Sequence, residues 1–325
     1  MTEPRKVPLI QTPTPLHRLD RLSEGLGIDL WIKRDDLTGF GGGGNKGRKL
    51  EYLMADALDQ GAEAMVTCGT RQSNFVRQLG AACSVLGIKC AAATMDLPYL
   101  EVPPGSHALG AINGNVLLDE LLGVDLRVHL DGDWDHLYAL AEDLALEYEK
   151  AGKRVYRVPI GGSSKLGAFS FYQAAQEVQR QSTTPFDWII FASSSGSTHV
   201  GLTYAFQGTS TKVLGIACDP EPEIVGEFAE IGEGLADMLG VPALPASEFL
   251  MDFDFVGQGY AAASPEANPA IYAMAKREGI FLDPVYTGKS FTGLMNLASS
   301  AKISGRVLFW HTGGFPSLFA ATGLK

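Results

Sequence analysis

The sequence predicts an α/β protein that is built from open, mainly parallel sheets with helices on both faces. Short apolar runs, rich in β-branched residues, alternate with longer amphipathic segments along the 325 residues. Hydrophobic residues make up 46% of the chain and charged residues 19%, which is typical of a folded protein. The chain has 38 glycines in 325 residues, a share above the average of about 7%. Many of them lie where a predicted strand is followed by a helix.

The predicted strands are short apolar segments bounded by turn residues. They are residues 29–33, 64–68, 89–95, 125–130, 154–159, 187–192, 212–218, 280–283 and 306–311. The segments between them have helical periodicity: in residues 46–60 the apolar side chains recur at helical spacing, and Gly61 ends the pattern. Further helices are predicted at 74–86, 133–151, 167–180 and 198–206. This alternation predicts parallel strands that are joined by helical crossovers.

The length predicts two domains, because a domain typically has about 100–200 residues. A proline-rich loop at 97–107 and a turn at 159–162 interrupt the alternation of strands and helices. We therefore expect a small α/β domain at 52–158, inserted into a large domain that residues 1–51 and 159–325 form together.

The charge and cysteine content exclude several classes of partner. With 26 basic and 37 acidic residues, the net charge of −11 argues against a nucleic-acid or anionic-membrane partner. The N-terminal residues lack the apolar segment of a signal peptide, and no apolar run approaches the length of a membrane span, so a cytoplasmic protein is expected. The four cysteines form no CxxC pair, which predicts neither a disulfide scaffold nor a metal site.

Glycine and small polar residues concentrate in four loops at predicted strand-to-helix junctions. These loops are residues 39–49, 68–75, 193–201 and 311–314, with a weaker fifth at 161–165. Ligands of open α/β sheets bind at the carboxyl ends of the strands, where such loops meet. The third loop precedes a predicted helix, so its N–H groups and hydroxyls suit a phosphate; an ordinary Ser/Gly turn is the alternative.

Lys46 is the cation with the most distinctive surroundings, since it opens a predicted helix after a glycine-rich run. The positive end of the helix and any burial both favour a neutral amine, which a Schiff-base lysine needs; a surface lysine is the alternative. The glycine run also matches a dinucleotide-binding pattern, which leaves a nucleotide-binding oxidoreductase open. A P-loop is excluded, because Asn45 precedes the lysine and Gly47 replaces the required Ser or Thr.

Several motifs in order carry a resemblance to a known family. They are TPTPL from Thr12, KRDDLTG from Lys33, GGNKGRKLEYL from Gly43, QSN from Gln72, the loop 195–202, LDPVYTGK from Leu282 and FWHTGGFP from Phe309. Together they resemble the 1-aminocyclopropane-1-carboxylate (ACC) deaminase/D-cysteine desulfhydrase family of fold-type-II enzymes, which use pyridoxal phosphate (PLP). The resemblance implies PLP in the cleft between two α/β domains, a small amino-acid substrate and a homodimer.

The resemblance also implies catalytic roles for four residues. Lys46 would bind PLP covalently and take the α-proton of the substrate. Ser73 would contact the substrate carboxylate. Tyr286 would lie against the cofactor ring, and Tyr260 falls where the family has a second active-site tyrosine.

Further residues would hold the cofactor. Asn45 would lie beside Lys46, and Asn74 would hydrogen-bond the phenolic oxygen of PLP and contribute to substrate binding. Thr287 would face the pyridine nitrogen, and Thr312 would also bind the cofactor. The phosphate would be held by Ser195, Gly196, Ser197 and Thr198.

Thr287 also indicates which branch of the family the chain resembles. ACC deaminases have Glu at this position, whereas the desulfhydrase branch has Thr. A hydroxyl is expected to leave the pyridine nitrogen neutral, and the weaker electron sink suits elimination of a good β leaving group. The predicted function is therefore β-elimination from D-cysteine, which gives pyruvate, ammonia and sulfide. ACC ring opening and elimination from L-cysteate are the alternatives.

Phe75 departs from the family pattern, which has His or Gln after Ser-Asn. A polar group that would touch the substrate is thereby replaced by a ring in the substrate-binding set of Ser73, Asn74 and Phe75. A non-catalytic homologue that binds PLP or an amino acid therefore stays open. Arg71 is either a surface charge or a clamp for an anionic substrate tail.

Overall fold

The computed structural model describes residues 3–95, 113–129, 132–257 and 259–321. It contains two sheets. The larger has the strand order β1-β2-β10-β7-β8-β9, and the smaller has the order β5-β4-β3-β6. The strands are β1 (Leu16–Arg18), β2 (Asp29–Arg34), β3 (Ala64–Thr70), β4 (Lys89–Met95), β5 (Asp125–His129), β6 (Val155–Arg157), β7 (Trp188–Ser193), β8 (Lys212–Ala217), β9 (Leu250–Asp252) and β10 (Arg306–His311).

Every strand pair is parallel within the described residues, except that β1 runs antiparallel to β2. In the larger sheet, Val307 of β10 pairs with Leu30 on one side and Trp188 on the other. In the smaller sheet, Val66 of β3 lies between Ala91 and Arg157. Parallel pairing brings the carboxyl ends of neighbouring strands to one edge of each sheet.

Helices connect and cover these strands, as the alternating pattern predicts. They are α1 (Asp20–Leu26), α2 (Lys46–Asp59), α3 (Asn74–Leu86), α4 (Gly114–Leu121), α5 (Trp134–Lys150), α6 (Lys165–Gln181), α7 (Ser197–Phe206), α8 (Ile224–Leu239), α9 (Asn268–Glu278), α10 (Thr287–Ser299) and α11 (Phe315–Ala320). Gly87 ends α3 in the left-handed conformation, with φ +68.

Each sheet has its own apolar core. In the larger sheet, Val307 and Phe309 of β10 are fully buried against Phe291 and Leu294 of α10. In the smaller sheet, the apolar side of α2 packs with α3 and β3, and Phe75 belongs to this cluster. Strands that are buried on both faces explain the continuous apolar runs in the sequence.

The predicted fold class is confirmed, and one predicted strand is wrong. Residues 280–283 are not a strand: Ile280 and Leu282 are buried in the core, but they join no ladder. Their apolar pattern reflects burial alone. The three-residue strands β1 and β9 were too short to stand out in the sequence. The proline-rich loop at 97–107 lies outside the described residues, and the domain boundaries at 52 and 158 stay a prediction.

The four cysteines are unpaired and buried. Burial raises the pKa of the Cys68 thiol to about 12 and also raises that of Cys218. No group of His, Cys, Asp and Glu within the described ranges is arranged to hold a metal ion. In the same part of the chain, no helix is long and apolar enough to cross a membrane.

Candidate active site

A cavity of about 240 Å³ lies where the carboxyl ends of both sheets meet. Residues that follow β3, β6, β7, β8 and β10 line it, together with the start of α2. The four glycine-rich loops that the sequence singled out, and the weaker fifth, all contribute to its wall. Their convergence makes this cavity the candidate active site.

Most of the predicted site residues lie on the cavity wall. They are Asn45, Lys46, Ser73, Asn74, Phe75, Ser195, Gly196, Thr198, Tyr260, Tyr286 and Thr312. Ser197 and Thr287 are buried behind the wall, and Arg71 does not line the cavity either.

Lys46 begins α2 directly after the glycine-rich loop and opens onto the cavity. Desolvation by the surrounding protein lowers the pKa of its amine to about 8, although a hydrogen bond with Lys49 raises it. Lys49 is 1% exposed, donates to the Gly161 carbonyl at 3.1 Å, and has a pKa far below that of a surface lysine because of burial and of Lys46. The cavity therefore holds an amine that is partly neutral near physiological pH.

Contacts between loops hold the N-terminus of α2 in place. The Asn45 backbone N–H donates to the Thr312 carbonyl at 2.8 Å. Gly313 has φ +108, and a Cβ there would come within 2.6 Å of Gly44 Cα, so only glycine allows the two loops to touch. The Asn45 side chain donates to Thr198 Oγ1 at 3.2 Å, which links the start of α2 to the start of α7.

Ser73 and Asn74 form the start of α3. Ser73 Oγ caps the helix by accepting from the N–H groups of Phe75 and Val76, each at 3.2 Å. Asn74 Oδ1 accepts from Asn115 Nδ2 at 3.0 Å, so the amide NH₂ of Asn74 is the group that it can offer to a ligand. The Phe75 ring is 2% exposed and packs against Gly162, where a Cβ would come within 2.7 Å of it.

A cradle of hydroxyls and N–H groups lies between β7 and α7. Gly196, with φ +98, turns the chain into α7, whose first N–H groups have no partner within the helix. Ser163 Oγ donates to Ser195 Oγ at 2.8 Å, and Ser194 Oγ donates to Asp219 Oδ2 at 2.6 Å. Ser163 Oγ also accepts from the Ser197 N–H at 3.4 Å. N–H groups at the positive end of a helix, with hydroxyls beside them, are the donor set that binds phosphate.

Two tyrosines, Tyr260 and Tyr286, also line the cavity. Their hydroxyl oxygens are 2.8 Å apart, and burial raises the pKa of both Tyr260 and Tyr286. The Trp134 ring lies 5.6 Å from the Tyr260 ring, measured between centroids. Tyr260 therefore contacts both Tyr286 and the first residue of α5.

Sequence reasoning missed several residues of this wall. Lys49 follows Lys46 by one helical turn, and that spacing was a usable signal. Trp134 had no such signal, because its place in the cavity depends on tertiary packing. Acidic residues also line the cavity: they are Asp135, Asp219, Glu221 and Glu227.

The geometry agrees with the class of protein that the chain belongs to. It is a member of the pyridoxal-phosphate dependent enzyme family, whose model matches residues 7–313. The chain is 42% identical to a D-cysteine desulfhydrase of Yersinia enterocolitica, over 97% of this chain and 95% of that protein.

Other relatives come from the ACC deaminase branch. A putative 1-aminocyclopropane-1-carboxylate deaminase of Pyrococcus horikoshii is 38% identical over 97% of this chain and 93% of its own. The crystal structure of an ACC deaminase homologue superimposes with a TM-score of 0.89 and 34% identity, covering 98% of this chain and 94% of that one. The chain is therefore similar to both branches along nearly its whole length.

The cavity fits PLP on its own geometry. An amine with a lowered pKa and a phosphate-type donor set open onto the same space, and glycine at 161 leaves room between them. A Cβ at Gly161 would come within 2.4 Å of Ser195 Oγ and 3.7 Å of Lys46 Nζ. The cavity therefore offers an amine for the aldehyde of PLP and hydrogen-bond donors for its phosphate.

Proposed function

We propose that this chain is a PLP-dependent carbon–sulfur lyase that converts D-cysteine into pyruvate, ammonia and sulfide. The observation that carries the proposal is the Lys46 amine, with its pKa near 8, in one cavity with the hydroxyl cradle of α7. The full-length similarity to proteins named D-cysteine desulfhydrase, at 41% and 42% identity, supports this substrate.

Each end of the cofactor has a group of residues that suits it. Lys46 would bind PLP covalently, with Asn45 beside it, and Asn74 would donate to the phenolic oxygen. Tyr286 would lie against the ring, while Thr287 and Thr312 would lie near its other edge. Ser195, Gly196, Ser197 and Thr198 would hold the phosphate. Bound PLP supplies an electron sink for the carbanion at the substrate Cα.

The side chains of this chain position the substrate and move its protons. Ser73 binds the substrate carboxylate through its hydroxyl. The Lys46 amine takes the proton when the Cα–H bond breaks, which requires its neutral form. The Cβ–S bonding electrons leave with sulfur, so that the thiol group departs as hydrosulfide, and the neutral hydroxyls of Tyr260 and Tyr286 would donate hydrogen bonds to it. Water then replaces the amino group, so that pyruvate and ammonia are released.

The charge around the cavity favours a thiol over a sulfonate leaving group. The described residues on its wall include the cations Lys46 and Lys49, whose amines contact each other. Asp135, Asp219, Glu221 and Glu227 also line it, and carboxylates repel the sulfonate of L-cysteate. ACC ring opening is the second candidate, because relatives named putative ACC deaminase are 38% and 36% identical to this chain.

A direct experiment compares wild type with Lys46→Ala and with the exposed control Lys302→Ala. Wild type and the control are expected to show the yellow absorbance of lysine-bound PLP, to lose it on borohydride treatment, and to form pyruvate from D-cysteine. Lys46→Ala is expected to lose the absorbance and to lose activity by a factor of 10² or more, on the order of what general base catalysis contributes.

The outcomes separate the competing functions. A colourless wild-type protein that is indifferent to PLP contradicts the cofactor assignment and favours a nucleotide-binding function. A yellow protein that forms no keto acid from D-cysteine, ACC or L-cysteate favours the binding-only homologue. Formation of 2-oxobutanoate from ACC in place of pyruvate from D-cysteine favours the deaminase branch.

Phe75 is proposed to set the substrate profile from the wall of the cavity. Phe75→His introduces a polar group beside Ser73 and Asn74, so the relative rates with D-cysteine and ACC are expected to change. Equal ratios in the variant and in wild type would show that Phe75 has no part in specificity. Circular dichroism on both proteins checks that the substitution of this buried ring leaves the fold intact.

We also propose a cytoplasmic homodimer. The unpaired cysteines are consistent with a reducing compartment. Phe281, Phe315 and Phe319 are 54%, 41% and 66% exposed, and the Phe315 ring contacts the other two. Such an apolar patch is of the kind that a second copy covers. Light scattering is expected to show a dimer for wild type. For Phe319→Ser it is expected to show a shift toward monomer.

A further inference from the structure

Asn115 fixes the orientation of the Asn74 side-chain amide. Arg77 Nε donates to Asn115 Oδ1 at 2.6 Å, and Asn115 Nδ2 donates to the Gln72 backbone carbonyl at 2.7 Å. Because an arginine nitrogen can only donate and a carbonyl oxygen can only accept, these two partners determine which end of the Asn115 amide is the oxygen. Asn115 Nδ2 also donates to Asn74 at 3.0 Å, so the atom that Asn74 places there is its oxygen Oδ1.

Arg77 supports this orientation directly and through its charge. Its Nη2 lies 3.4 Å from Asn74 Oδ1, and it donates to the Gly43 carbonyl at 3.2 Å, in the loop that precedes Lys46. Burial lowers the pKa of Arg77 to about 10, so the guanidinium stays positively charged at neutral pH. A cation that donates to one amide polarises it, and the polarised amide is a stronger donor to the next. The polarisation therefore runs from Arg77 through Asn115 to Asn74.

The two supporting residues are closed to solvent, whereas Asn74 opens onto the cavity. Arg77 and Asn115 are 1% and 0% exposed, and neither lines the cavity. Asn74 is half-buried and lies on the cavity wall. Because Oδ1 of Asn74 accepts from two buried donors, Nδ2 is the end of the amide that remains for a ligand.

We propose that Asn115 and Arg77 are positioning residues that direct the Nδ2 group of Asn74 into the cavity, so that the site offers a hydrogen-bond donor there and excludes an acceptor. The inference rests on the proposed function, which assigns Asn74 to the phenolic oxygen of PLP, and it adds the residues that set the polarity of this contact. An unsupported amide can turn either end toward a ligand. Here, rotation of Asn74 would bring its NH₂ group against the donors of Arg77 and Asn115. The polarised NH₂ group suits an oxygen that carries negative charge.

The test compares the affinity of the full chain, freed of cofactor, for PLP and for 3-deoxypyridoxal phosphate, which lacks the phenolic oxygen. Asn115→Asp keeps an acceptor for Arg77 but has no hydrogen to donate, so the Asn74 amide is expected to turn its oxygen toward the cavity. Absorbance titration is expected to show that PLP binds about tenfold more weakly than to wild type, or weaker still, while 3-deoxypyridoxal phosphate binds as before. Ser317→Ala is the matched control, since Ser317 Oγ accepts from Asn115 Nδ2 at 3.1 Å without touching Asn74, and it is expected to bind both as wild type does.

The outcomes distinguish this inference from the function on which it rests. An equal loss of affinity for the two compounds in Asn115→Asp overturns the inference, because it reports general damage to the site, and so does unchanged affinity for PLP. In both cases the lyase function stands, since wild type still binds PLP. Failure of wild type to bind PLP overturns the proposed function itself.

A second variant keeps the inference testable if Asn115→Asp does not fold. Asn115→Ala leaves Arg77 Nη2, at 3.4 Å, as the remaining one of the two donors to Asn74 Oδ1. A severalfold loss of affinity is then expected for PLP alone. The absence of a selective loss would overturn the inference.

Discussion

At the residue scale, the surroundings of Lys46 explain why it differs from a surface lysine. Desolvation lowers its pKa to about 8, and burial also lowers the pKa of Lys49 beside it well below the ordinary lysine value, so the two amines together hold less positive charge than two exposed lysines. Lowering the pKa of an amine increases its neutral fraction at a given pH. The neutral amine is the form that attacks an aldehyde.

The pH dependence of PLP attachment follows from this pKa. The neutral fraction of Lys46 grows as pH rises toward about 8 and levels off above it. We expect the attachment rate of the apo protein to rise about tenfold per pH unit well below that point. Stopped-flow absorbance between neutral and alkaline pH measures it. A rate that keeps rising toward the ordinary lysine value of 10.5 would contradict the desolvated environment.

At the element scale, a buried ion network anchors α2 to the larger sheet. Arg48 donates to Asp35 Oδ1 at 2.8 Å and to Glu177 Oε2 at 3.1 Å, and Lys33 donates to Glu177 Oε1 at 2.5 Å. Trp310 Nε1 of β10 donates to Asp35 Oδ2 at 2.8 Å. These bonds hold the helix that begins at Lys46.

Removal of Arg48 is expected to be costly, because it leaves buried carboxylates without their cation. Arg48→Met is expected to lower the free energy of unfolding by about 3–5 kcal/mol. Arg157→Met removes an arginine that is 41% exposed and bonded to Glu142, and is expected to cost about 1 kcal/mol or less. Urea unfolding of both variants measures the difference. Equal losses would indicate that the network contributes no more than a surface ion pair.

The elements also show where sequence reasoning succeeded and where it stopped. Strands buried on both faces, such as β7 and β10, and helices with regular apolar spacing, such as α2, were predictable because burial fixes their residue types. Residues 280–283 have the same apolar character without a ladder partner, and strand pairing is not encoded locally. In the site, the glycine loops identified the cavity. The place of Trp134 in the cavity wall and the hydrogen bond from Thr287 Oγ1 to Asp283 Oδ1 were not predictable, because each depends on contacts that no local sequence pattern shows.

At the scale of the whole molecule, Tyr260 connects the two sheets across the cavity. Its hydroxyl bonds to Tyr286 at 2.8 Å and to the side chain of Thr70, the last residue of β3. Its ring packs against Trp134 at the start of α5, which covers the smaller sheet. Ala261, next to Tyr260, has φ +59, a strained conformation for a residue with a side chain. Contacts from both sides keep this segment in place.

Loss of Trp134 is expected to loosen this connection. An aromatic pair contributes about 0.5–1.5 kcal/mol beyond its buried area, so Trp134→Ala is expected to raise amide exchange around Tyr260 by up to about tenfold. Trp134→Phe keeps a ring and is expected to stay close to wild type. Hydrogen–deuterium exchange by mass spectrometry, with the KM for D-cysteine, compares the two. Unchanged exchange in Trp134→Ala would mean that the hydroxyl bonds hold Tyr260 by themselves.

The burial of the four cysteines has a consequence for a protein that releases sulfide. Sulfide is oxidised readily, and the polysulfides that form react with thiolates. Here the thiol of Cys68 has its pKa raised to about 12, and all four cysteines are buried. A thiol kept protonated and shielded is a poor nucleophile. Burial therefore protects the thiols of a sulfide-releasing protein from the polysulfides that its own product forms.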